Sequence, residues 1–466
     1  MITFATLALL SLFIGVAGLG VALLRRPGSS RIVGVVLLIE GILAAAAQVL
    51  LSTLPFGIGE PMIRVRFQQV LVEALWTVLA IGGVALLVYA GGHWLKRGAA
   101  QGRRTRMFVW SLALVVPLVA GTSLYGLTRA SLPQRERERD PNKREITLSQ
   151  GFSWSVYAQG MIDNPTTVTF GPDDELYIAD ISGALWVATD DDDDGSAENI
   201  RRFADGFRLL VGLLWHEDEL FTASSGKIEA LRDTDGDGVA DQRRVVVDGL
   251  PSMILMPHSN NGLALGPDGR LYFGVGSTSS GEVEQNERAA AVLSVNPDGS
   301  DLRVFARGLG NSFDVAFNAD GELFAGDNSP QGEGSDPPDE FNHVVEGGHY
   351  GFPYFYGDPP DNGGTRGALV SFPAHSTPTG TTFYTGAQYP AEYRDSGFIT
   401  LWNRGEIARV EVGRAASGNY LGRTSSFGSG FLYPIDIVNG PDGNLYVADF
   451  GTSAIYRITY DPNKAY

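Results

Sequence analysis

The sequence predicts an all-β, six-bladed β-propeller that is preceded by a four-helix transmembrane segment. Three observations predict this fold class: a hairpin turn that recurs along the second part of the chain, the spacing of its copies, and four long apolar segments before the first copy. They divide the 466 residues into a membrane segment, 1–128, a charged linker, 129–145, and a propeller, 146–466.

The clearest copy of the recurring hairpin lies at residues 259–276. Leu263 and Leu265 alternate with small residues, and the run Pro267-Asp268-Gly269 has the composition of a tight turn. Alternation resumes at residues 271–275, which read Leu-Tyr-Phe-Gly-Val. This pattern is typical of a strand, a tight turn and a second strand.

Further copies of the hairpin predict the number of blades. The first apolar residues after the turns are Leu176, Leu220, Leu271, Leu323, Phe398 and Leu445, which are 44, 51, 52, 75 and 47 residues apart. Periods of this length with short strands are typical of propeller blades of four strands each. The 75-residue step leaves a seventh blade possible, but its segments rich in Gly, Pro and Asp favour a long functional loop and six blades.

The two ends of the propeller segment predict how the ring closes. The last copy ends with its third strand, Ile455–Tyr460, and the segment begins with an unmatched strand, Ser153–Ala158. We expect the unmatched strand to complete the last blade, because an incomplete ring would expose an unpaired sheet edge.

Four apolar segments, Ile2–Leu24, Ile32–Leu54, Val70–Leu95 and Met107–Leu127, are each long enough to span a bilayer as a helix. The first and third loops between them are rich in Arg and Lys, so the positive-inside rule places both in the cytoplasm. We therefore expect a bacterial inner (plasma) membrane protein with its propeller on the periplasmic or extracellular side. Glu40 and Glu73 lie in or near these helices, either paired with polar neighbours or beside a membrane quinone.

Charge and cysteine content exclude several functions. Residues 1–145 carry 16 basic and 7 acidic side chains, whereas the remaining residues carry 19 basic and 46 acidic ones. Such an acidic domain argues against a nucleic-acid partner, because phosphate contacts require clustered Lys and Arg. The chain has no cysteine, which excludes disulfides, iron–sulfur clusters and covalently attached haem.

Two aspartate-rich runs resemble calcium-binding loops. One contains Asp233, Asp235, Asp237 and Asp241, and the other contains Asp190, Asp192, Asp194 and Glu198. Alternating carboxylates with a glycine at the sixth position can wrap oxygen ligands around Ca²⁺. Neither run is a regular EF-hand, and each could instead be a solvated turn, but two copies at the same place in adjacent blades favour structural Ca²⁺ sites.

Several motifs occur in an order that resembles the soluble quinoprotein glucose/sorbosone dehydrogenase family. They include residues 258–276, Asn311, the run Asp327-Asn328-Ser329-Pro330, residues 347–353 and Pro378-Thr379-Gly380. The resemblance covers most of residues 150–460 and implies a six-bladed propeller that binds pyrroloquinoline quinone (PQQ) and Ca²⁺ at its mouth. It is less specific for activity than for fold.

The resemblance implies roles for individual residues. His258 stands at the position of the family's catalytic histidine and would act as general base on a sugar hydroxyl while hydride passes to the quinone. Asn311 and Arg404 would contact PQQ. The carbonyl groups of Ser329 and Pro330 match the calcium ligands of the cofactor site, and Asp339, Glu340 and Tyr350 match a second metal-linked cluster.

The chain departs from the family pattern where the quinone's carboxylates would be bound. Gly310, Asn403, Tyr433 and Ile435 stand at four positions where the family carries cations, although Arg404 follows Asn403 directly. Two functions are therefore open: a membrane-anchored PQQ-dependent sugar dehydrogenase, or a propeller without the cofactor that binds a glycan or a protein at the envelope. A calcium-dependent hydrolase of the lactonase type is a third alternative.

Overall fold

The computed structural model describes residues 139–252, 259–279, 281–330, 336–359, 364–416 and 418–464. These residues form twenty-five strands in six antiparallel sheets, together with short 3-10 helices. The predicted membrane helices, with Glu40 and Glu73, lie outside the described residues. Within the described residues, no helix has the length and the apolar composition required to cross a membrane.

The six sheets are the blades of a propeller, and four of them are continuous in sequence. Blade 1 contains β3 (Pro165–Phe170), β4 (Leu176–Asp180), β5 (Leu185–Thr189) and β6 (Asn199–Ala204), and blade 2 contains β7 (Gly212–His216), β8 (Glu219–Ser224), β9 (Lys227–Arg232) and β10 (Gln242–Asp248). Blade 3 contains β11 (Asn260–Leu265), β12 (Leu271–Val275), β13 (Ala291–Val295) and β14 (Arg303–Arg307). Blade 4 contains β15 (Ser312–Phe317), β16 (Leu323–Asp327), β17 (Asp339–Val344) and β18 (Val370–Phe372).

The other two blades take strands from both ends of the propeller segment. Blade 5 contains β19 (Pro378–Phe383), β20 (Gly397–Leu401), β21 (Glu406–Arg414) and β22 (Tyr420–Ser429), with β1 (Thr147–Leu148) at its outer edge. Blade 6 contains β23 (Pro434–Asn439), β24 (Leu445–Asp449), β25 (Ala454–Tyr460) and β2 (Phe152–Gln159). Six blades are confirmed, and the 75-residue step holds long loops of blade 4 rather than a seventh sheet.

Ring closure occurs through β2, as predicted. This strand pairs antiparallel with β25, from Phe152 opposite Tyr460 to Gln159 opposite Ala454, so the last blade gains its fourth strand. The short strand β1 was not predicted. It pairs with β22, and Arg144 just before it donates to the carbonyl of Gly430 at 2.6 Å, so the end of the predicted linker is attached to blade 5.

The order of the strands defines two faces of the ring. In each blade, the innermost strand begins and the second strand ends at the same face, which we call the mouth. The hairpin turns between the first two strands lie at the opposite face, as do the aspartate-rich loops that join the third and fourth strands of blades 1 and 2. The candidate cofactor residues and the candidate calcium loops are therefore at opposite faces.

Two buried carboxylates connect the innermost strands around the axis. Asp314 in β15 accepts from the backbone N–H of Thr381 in β19 at 2.8 Å, and Asp436 in β23 accepts from the N–H of Val168 in β3 at 2.8 Å. The residue next to each carboxylate is a glycine, because there is no space for a side chain at that position. A Cβ on Gly262 would lie 2.0 Å from an Asp314 oxygen, and one on Gly380 would lie 2.6 Å from an Asp436 oxygen.

Candidate functional site

The mouth carries most of the candidate cofactor residues. His258, the predicted general base, lies outside the described residues, which resume at Ser259 directly before β11. Asn311 precedes β15, and the Ser329-Pro330 pair follows β16. The structure therefore brings Asn311, Ser329 and Pro330 together at one face of blade 4.

Three asparagines form a connected amide cluster at this face. The Nδ2 of Asn261 donates to Asn311 Oδ1 at 3.0 Å and to the carbonyl of Ser312 at 2.8 Å. The Nδ2 of Asn328 donates to the Asn311 carbonyl at 3.2 Å and to that of Pro378 at 3.0 Å. The cluster thus joins blades 3, 4 and 5 at the mouth.

The amide cluster contains buried polar atoms that lack a partner. Within the described part of the chain, Asn261 Oδ1, Asn311 Nδ2, Ser312 Oγ and Asn328 Oδ1 form no hydrogen bond, and Asn261 and Ser312 are 0% exposed. A buried polar group without a partner costs free energy. This cluster offers acceptors, a donor and a hydroxyl to a ligand that can bond all of them.

Asp327 holds the loop that leads to Asn311. Its carboxylate accepts from the backbone N–H groups of Gly310 at 2.9 Å and of Asn311 at 2.7 Å. Burial raises the pKa of Asp327 well above its usual value, and the charge of Glu340 adds to that rise. Asp449 accepts in the same way from the N–H groups before β23, so this arrangement is a repeated structural feature of the mouth.

Asp339 and Glu340 likewise bind loops. Asp339 accepts from the N–H of Ser329 at 2.9 Å, and Glu340 accepts from the N–H of Gly357 at 2.5 Å. Burial raises the pKa of both carboxyls. Both carboxylates therefore support loops at the mouth. That they also belong to a second metal-linked cluster stays a prediction.

Four neutral residues stand where the family carries cations, and each has a structural reason to be there. A Cβ on Gly310 would lie 2.8 Å from the Asn328 carbonyl oxygen, so no arginine side chain fits there without backbone movement. The amide of Asn403 donates to Thr377 Oγ1 at 2.8 Å. Ile435 is buried. Tyr433 stacks on the ring of Trp402, with 5.1 Å between ring centroids.

The one cation that the sequence offers in compensation is already paired. Arg404 Nε donates to Glu406 at 3.0 Å, on the exposed side of blade 5. A tricarboxylated quinone requires cationic partners, ideally in two-pronged contacts. The residues at the family's cation positions therefore do not fit PQQ. The calcium ion of the cofactor site could still be bound, because the carbonyl groups of Ser329 and Pro330 accept no hydrogen bond from the described residues and are free to act as ligands.

His349 is a further titratable group near the mouth. Its Nδ1 accepts from the N–H of Gly351 at 3.2 Å, which leaves the proton of the neutral ring on Nε2. Burial lowers its pKa, and the nearby charge of Arg307 lowers it further. Neutral His349 thus presents an N–H donor and is unsuited to act as a general base.

The aspartate-rich loops form two groups of converging carboxylates. Asp190, Asp192, Asp194 and Glu198 each place one oxygen within 4.8 Å of the others, as do Asp233, Asp235 and Asp237. Asp241 is not in the second group, because its carboxylate accepts from the N–H and hydroxyl of Thr234. Seven of the eight carboxylates that the sequence indicated thus lie close enough together to share an ion, and calcium binding itself stays a prediction.

Both loops lie against the outer strand of the preceding blade. The N–H of Ala197 donates to the Tyr157 carbonyl in β2 at 2.7 Å, and the N–H of Ala240 donates to the Phe203 carbonyl in β6 at 2.9 Å. Ala197 and Ala240 are the eighth residues of their loops. Any ion bound in the first loop would consequently support the blade that closes the ring.

Comparisons with known proteins agree with the fold. Residues 181–349 match a family described as a domain of unknown function, DUF7133. An uncharacterized protein of Borreliella burgdorferi is 24% identical over 353 residues, which are 68% of this chain and 91% of that protein. Quinoprotein glucose dehydrogenase B of Acinetobacter calcoaceticus is 23% identical over 280 residues, 48% of this chain and 57% of that enzyme.

A solved structure is similar to this chain over the whole propeller. The putative oxidoreductase (glucose dehydrogenase) of Thermus thermophilus superposes with a TM-score of 0.57 and 24% identity, over 66% of this chain and all of that one. The chain folds as a six-bladed propeller, as that protein does. At this level of identity the likeness establishes the architecture alone, and activity has to be argued from the site.

Proposed function

We propose that the propeller binds a neutral, polyhydroxylated ligand, a sugar or the sugar part of a glycan, at its mouth. The observation that carries this proposal is the amide cluster of Asn261, Asn311 and Asn328, in which acceptors and a donor are buried without partners among the described residues. A sugar hydroxyl both donates and accepts, so vicinal hydroxyls can satisfy Asn261 Oδ1 and Asn311 Nδ2 together. No cationic group is needed for such a ligand.

The loop that returns to the mouth supports a sugar ligand. The ring of Phe352 lies 3.4 Å from the position of a Cβ on Gly310, and Tyr354, two residues further, is 69% exposed. Phe352 is buried, whereas an exposed aromatic ring such as that of Tyr354 can pack against the apolar face of a sugar. We place the propeller outside the bacterial inner membrane, anchored by residues 1–128, because that segment has four apolar spans with basic first and third loops.

The sugar-binding proposal predicts the effect of removing one amide. Asn311→Ala should weaken the binding of D-glucose or maltose by about tenfold, because one buried hydrogen bond to the ligand is lost. Isothermal titration of the purified full-length protein measures this change. Asn296→Ala, at the opposite face, is the matched control and should leave the affinity unchanged. Equal affinity in wild type and Asn311→Ala would contradict the proposal.

A second candidate function is a PQQ-dependent sugar dehydrogenase with His258 as general base. The likeness to a quinoprotein glucose dehydrogenase, the free donor of Asn311 and the open carbonyls of Ser329 and Pro330 favour it. Asn311 and a calcium ion on the Ser329 and Pro330 carbonyls would hold the quinone, which would supply a hydride acceptor, and the resemblance gives His258 the role of general base on the sugar hydroxyl. The same titration with PQQ and Ca²⁺ decides between the two: micromolar PQQ binding and dye reduction that His258→Ala abolishes would establish the dehydrogenase.

We also propose that the two aspartate-rich loops bind structural Ca²⁺. Calcium at a hundred times its dissociation constant should stabilise the fold by about 2.7 kcal/mol per occupied loop relative to chelator, seen as a higher unfolding temperature. The double variant Asp192→Asn, Asp235→Asn should lose most of this gain, since each site loses one charged ligand. Glu217→Gln, an exposed carboxylate outside the loops, should keep it. The same unfolding temperature in calcium and in chelator would refute the proposal.

A further inference from the structure

A tyrosine, a carboxylate and two further aromatic rings recur where neighbouring blades meet, at the face opposite the mouth. Between blades 1 and 2, the Tyr177 hydroxyl donates to Glu175 at 3.1 Å. The rings of Phe203 and Trp215 pack edge-on against Tyr177, with centroids 5.1 and 5.2 Å away. The guanidinium of Arg201 completes this arrangement by donating to both Glu175 oxygens at 3.1 and 3.2 Å.

The same arrangement occurs between blades 6 and 1. Tyr446 donates to Asp442 at 3.1 Å, and the rings of Tyr157 and Phe170 pack edge-on against it at 5.0 and 4.9 Å. Again a guanidinium is present, because Arg457 Nε donates to Asp442 at 2.8 Å. The carboxylate at this position thus has a cationic partner from the same chain in both seams.

A reduced form occurs between blades 2 and 3, where phenylalanine replaces the tyrosine. Arg244 Nε donates to Glu219 at 2.8 Å, and its guanidinium carbon lies 5.5 Å from the centroid of the Phe221 ring. Three consecutive seams of the ring therefore hold an arginine against a carboxylate. In the seam between blades 2 and 3, the arginine combines this ion pair with a cation–π contact to the Phe221 ring.

The seam between blades 3 and 4 has the aromatic rings and the carboxylate without the cation. Tyr272 donates to Asp268 at 3.0 Å, and Phe305 and Phe317 pack edge-on against it, both at 5.1 Å. No guanidinium of the described residues enters this arrangement. A cleft of about 260 Å³ lies there instead, lined by these four residues and by Glu346 among others.

The arginine that could have filled the cleft is held outside it. Arg303 faces Ser294, which in turn faces Tyr272, so it has the register position that Arg201 has in blade 1. Its guanidinium instead binds Asp301, with Nε donating at 2.9 Å, and its side chain is 57% exposed. Glu346 at the rim is exposed and forms no ion pair within the described part of the chain. Asp301 accounts for most of the rise in the pKa of Arg303, and the charge of Glu346 adds to it, so the Arg303 guanidinium lies within electrostatic range of Glu346.

We propose that this cleft between blades 3 and 4 binds the side chain of an arginine supplied by a partner polypeptide. The guanidinium would donate to Asp268 and Glu346, as the chain's own arginines donate to carboxylates in the other seams. It would also lie against the rings of Tyr272 and Phe305. The cleft is at the face opposite the mouth, so the proposal does not depend on which ligand the mouth binds. It identifies this face as a protein-docking surface.

The test uses saturation-transfer NMR, which detects weak ligands, on the purified full-length protein. The probes are a glycine-rich pentapeptide with a central arginine and the same peptide with citrulline, the neutral isostere. The arginine side-chain protons should receive saturation and those of citrulline should not. The double variant Asp268→Asn, Glu346→Gln should reduce the arginine signal at least threefold. Asp173→Asn, the same change on the corresponding turn of blade 1, is the matched control and should not alter it.

Three results would overturn the proposal. The first is no saturation of the arginine peptide at millimolar concentration, and the second is an equal signal from citrulline, which would indicate apolar contact alone. The third is a several-fold gain of signal in Arg303→Gln, because it would show that Arg303 itself occupies the cleft in solution. An unchanged signal in Arg303→Gln supports the proposal, since Asp301 already holds this arginine away.

Discussion

Gly274→Ala should lower the free energy of unfolding by about 3 kcal/mol or more, because the added methyl group meets backbone rather than a movable side chain. A Cβ at this position of β12 would lie 2.0 Å from the carbonyl oxygen of Ser312, at the start of the neighbouring innermost strand. Blades 3 and 4 would have to separate there, which would also pull Asn261 from Asn311. Denaturant unfolding monitored by tryptophan fluorescence measures the loss.

Gly413→Ala is the matched control for that substitution. Gly413 also lies inside a strand, but a Cβ there meets no atom within 4 Å. Its backbone is compatible with alanine, so the free energy of unfolding should change by less than about 0.5 kcal/mol. Similar losses in both variants would mean that strand propensity, and not the contact between blades, determines the effect.

The free energy of unfolding should fall as the pH rises from about 5 to about 8, opposite to the usual behaviour of an acidic protein. Burial raises the pKa of Asp436 to about 6 and raises that of Asp314 well above its usual value, with the charge of Asp436 contributing. The folded protein therefore binds these protons more tightly than the unfolded chain does. The stability that these carboxyls contribute is fully present below their pKa in the unfolded chain. It is lost as the pH rises through their higher pKa in the folded protein.

The contribution of one carboxyl can be isolated by comparing wild type with Asp436→Asn. A rise of the Asp436 pKa from its value in the unfolded chain to about 6 corresponds to a loss of about 1.4 kcal/mol of stability between pH 5 and pH 8. Over this range, the free energy of unfolding of wild type should therefore fall by about 1.4 kcal/mol more than that of Asp436→Asn. Thermal unfolding across this range measures the slope. Asp173→Asn should keep the wild-type slope, because Asp173 is exposed. Parallel curves for wild type and Asp436→Asn would show that Asp436 is ionised throughout.

The ring could be predicted because its signals are local. Turn residues such as Pro267-Asp268-Gly269 determine a hairpin through backbone geometry alone, and strand β12 was predicted with the bounds that the structure has. Closure by β2 followed from counting strands. The missed strand β1 is two residues long and carries no pattern, since pairing with β22 alone defines it.

The candidate site was predicted in part. The sequence indicated the absent cations, and the structure adds that Gly310 leaves no space for one. The sequence also indicated that the carboxylates of each aspartate-rich loop converge, because these carboxylates are close together in the chain. The partners of Asp339 and Glu340 could not be predicted, since they come from loops whose course depends on the packing of blade 4.

By itself, the sequence determined the blade count, the closing strand and the loops with calcium-ligand spacing, because each depends on residues close together in the chain. Only the tertiary structure decided which side chains meet across blades. Asn261 and Asn311 are fifty residues apart in the chain and form one cluster, while Arg201 reaches Glu175 and Arg303 does not reach Asp268. Such contacts depend on the register of paired strands and on the conformation of long side chains. Neither can be predicted from a short stretch of sequence.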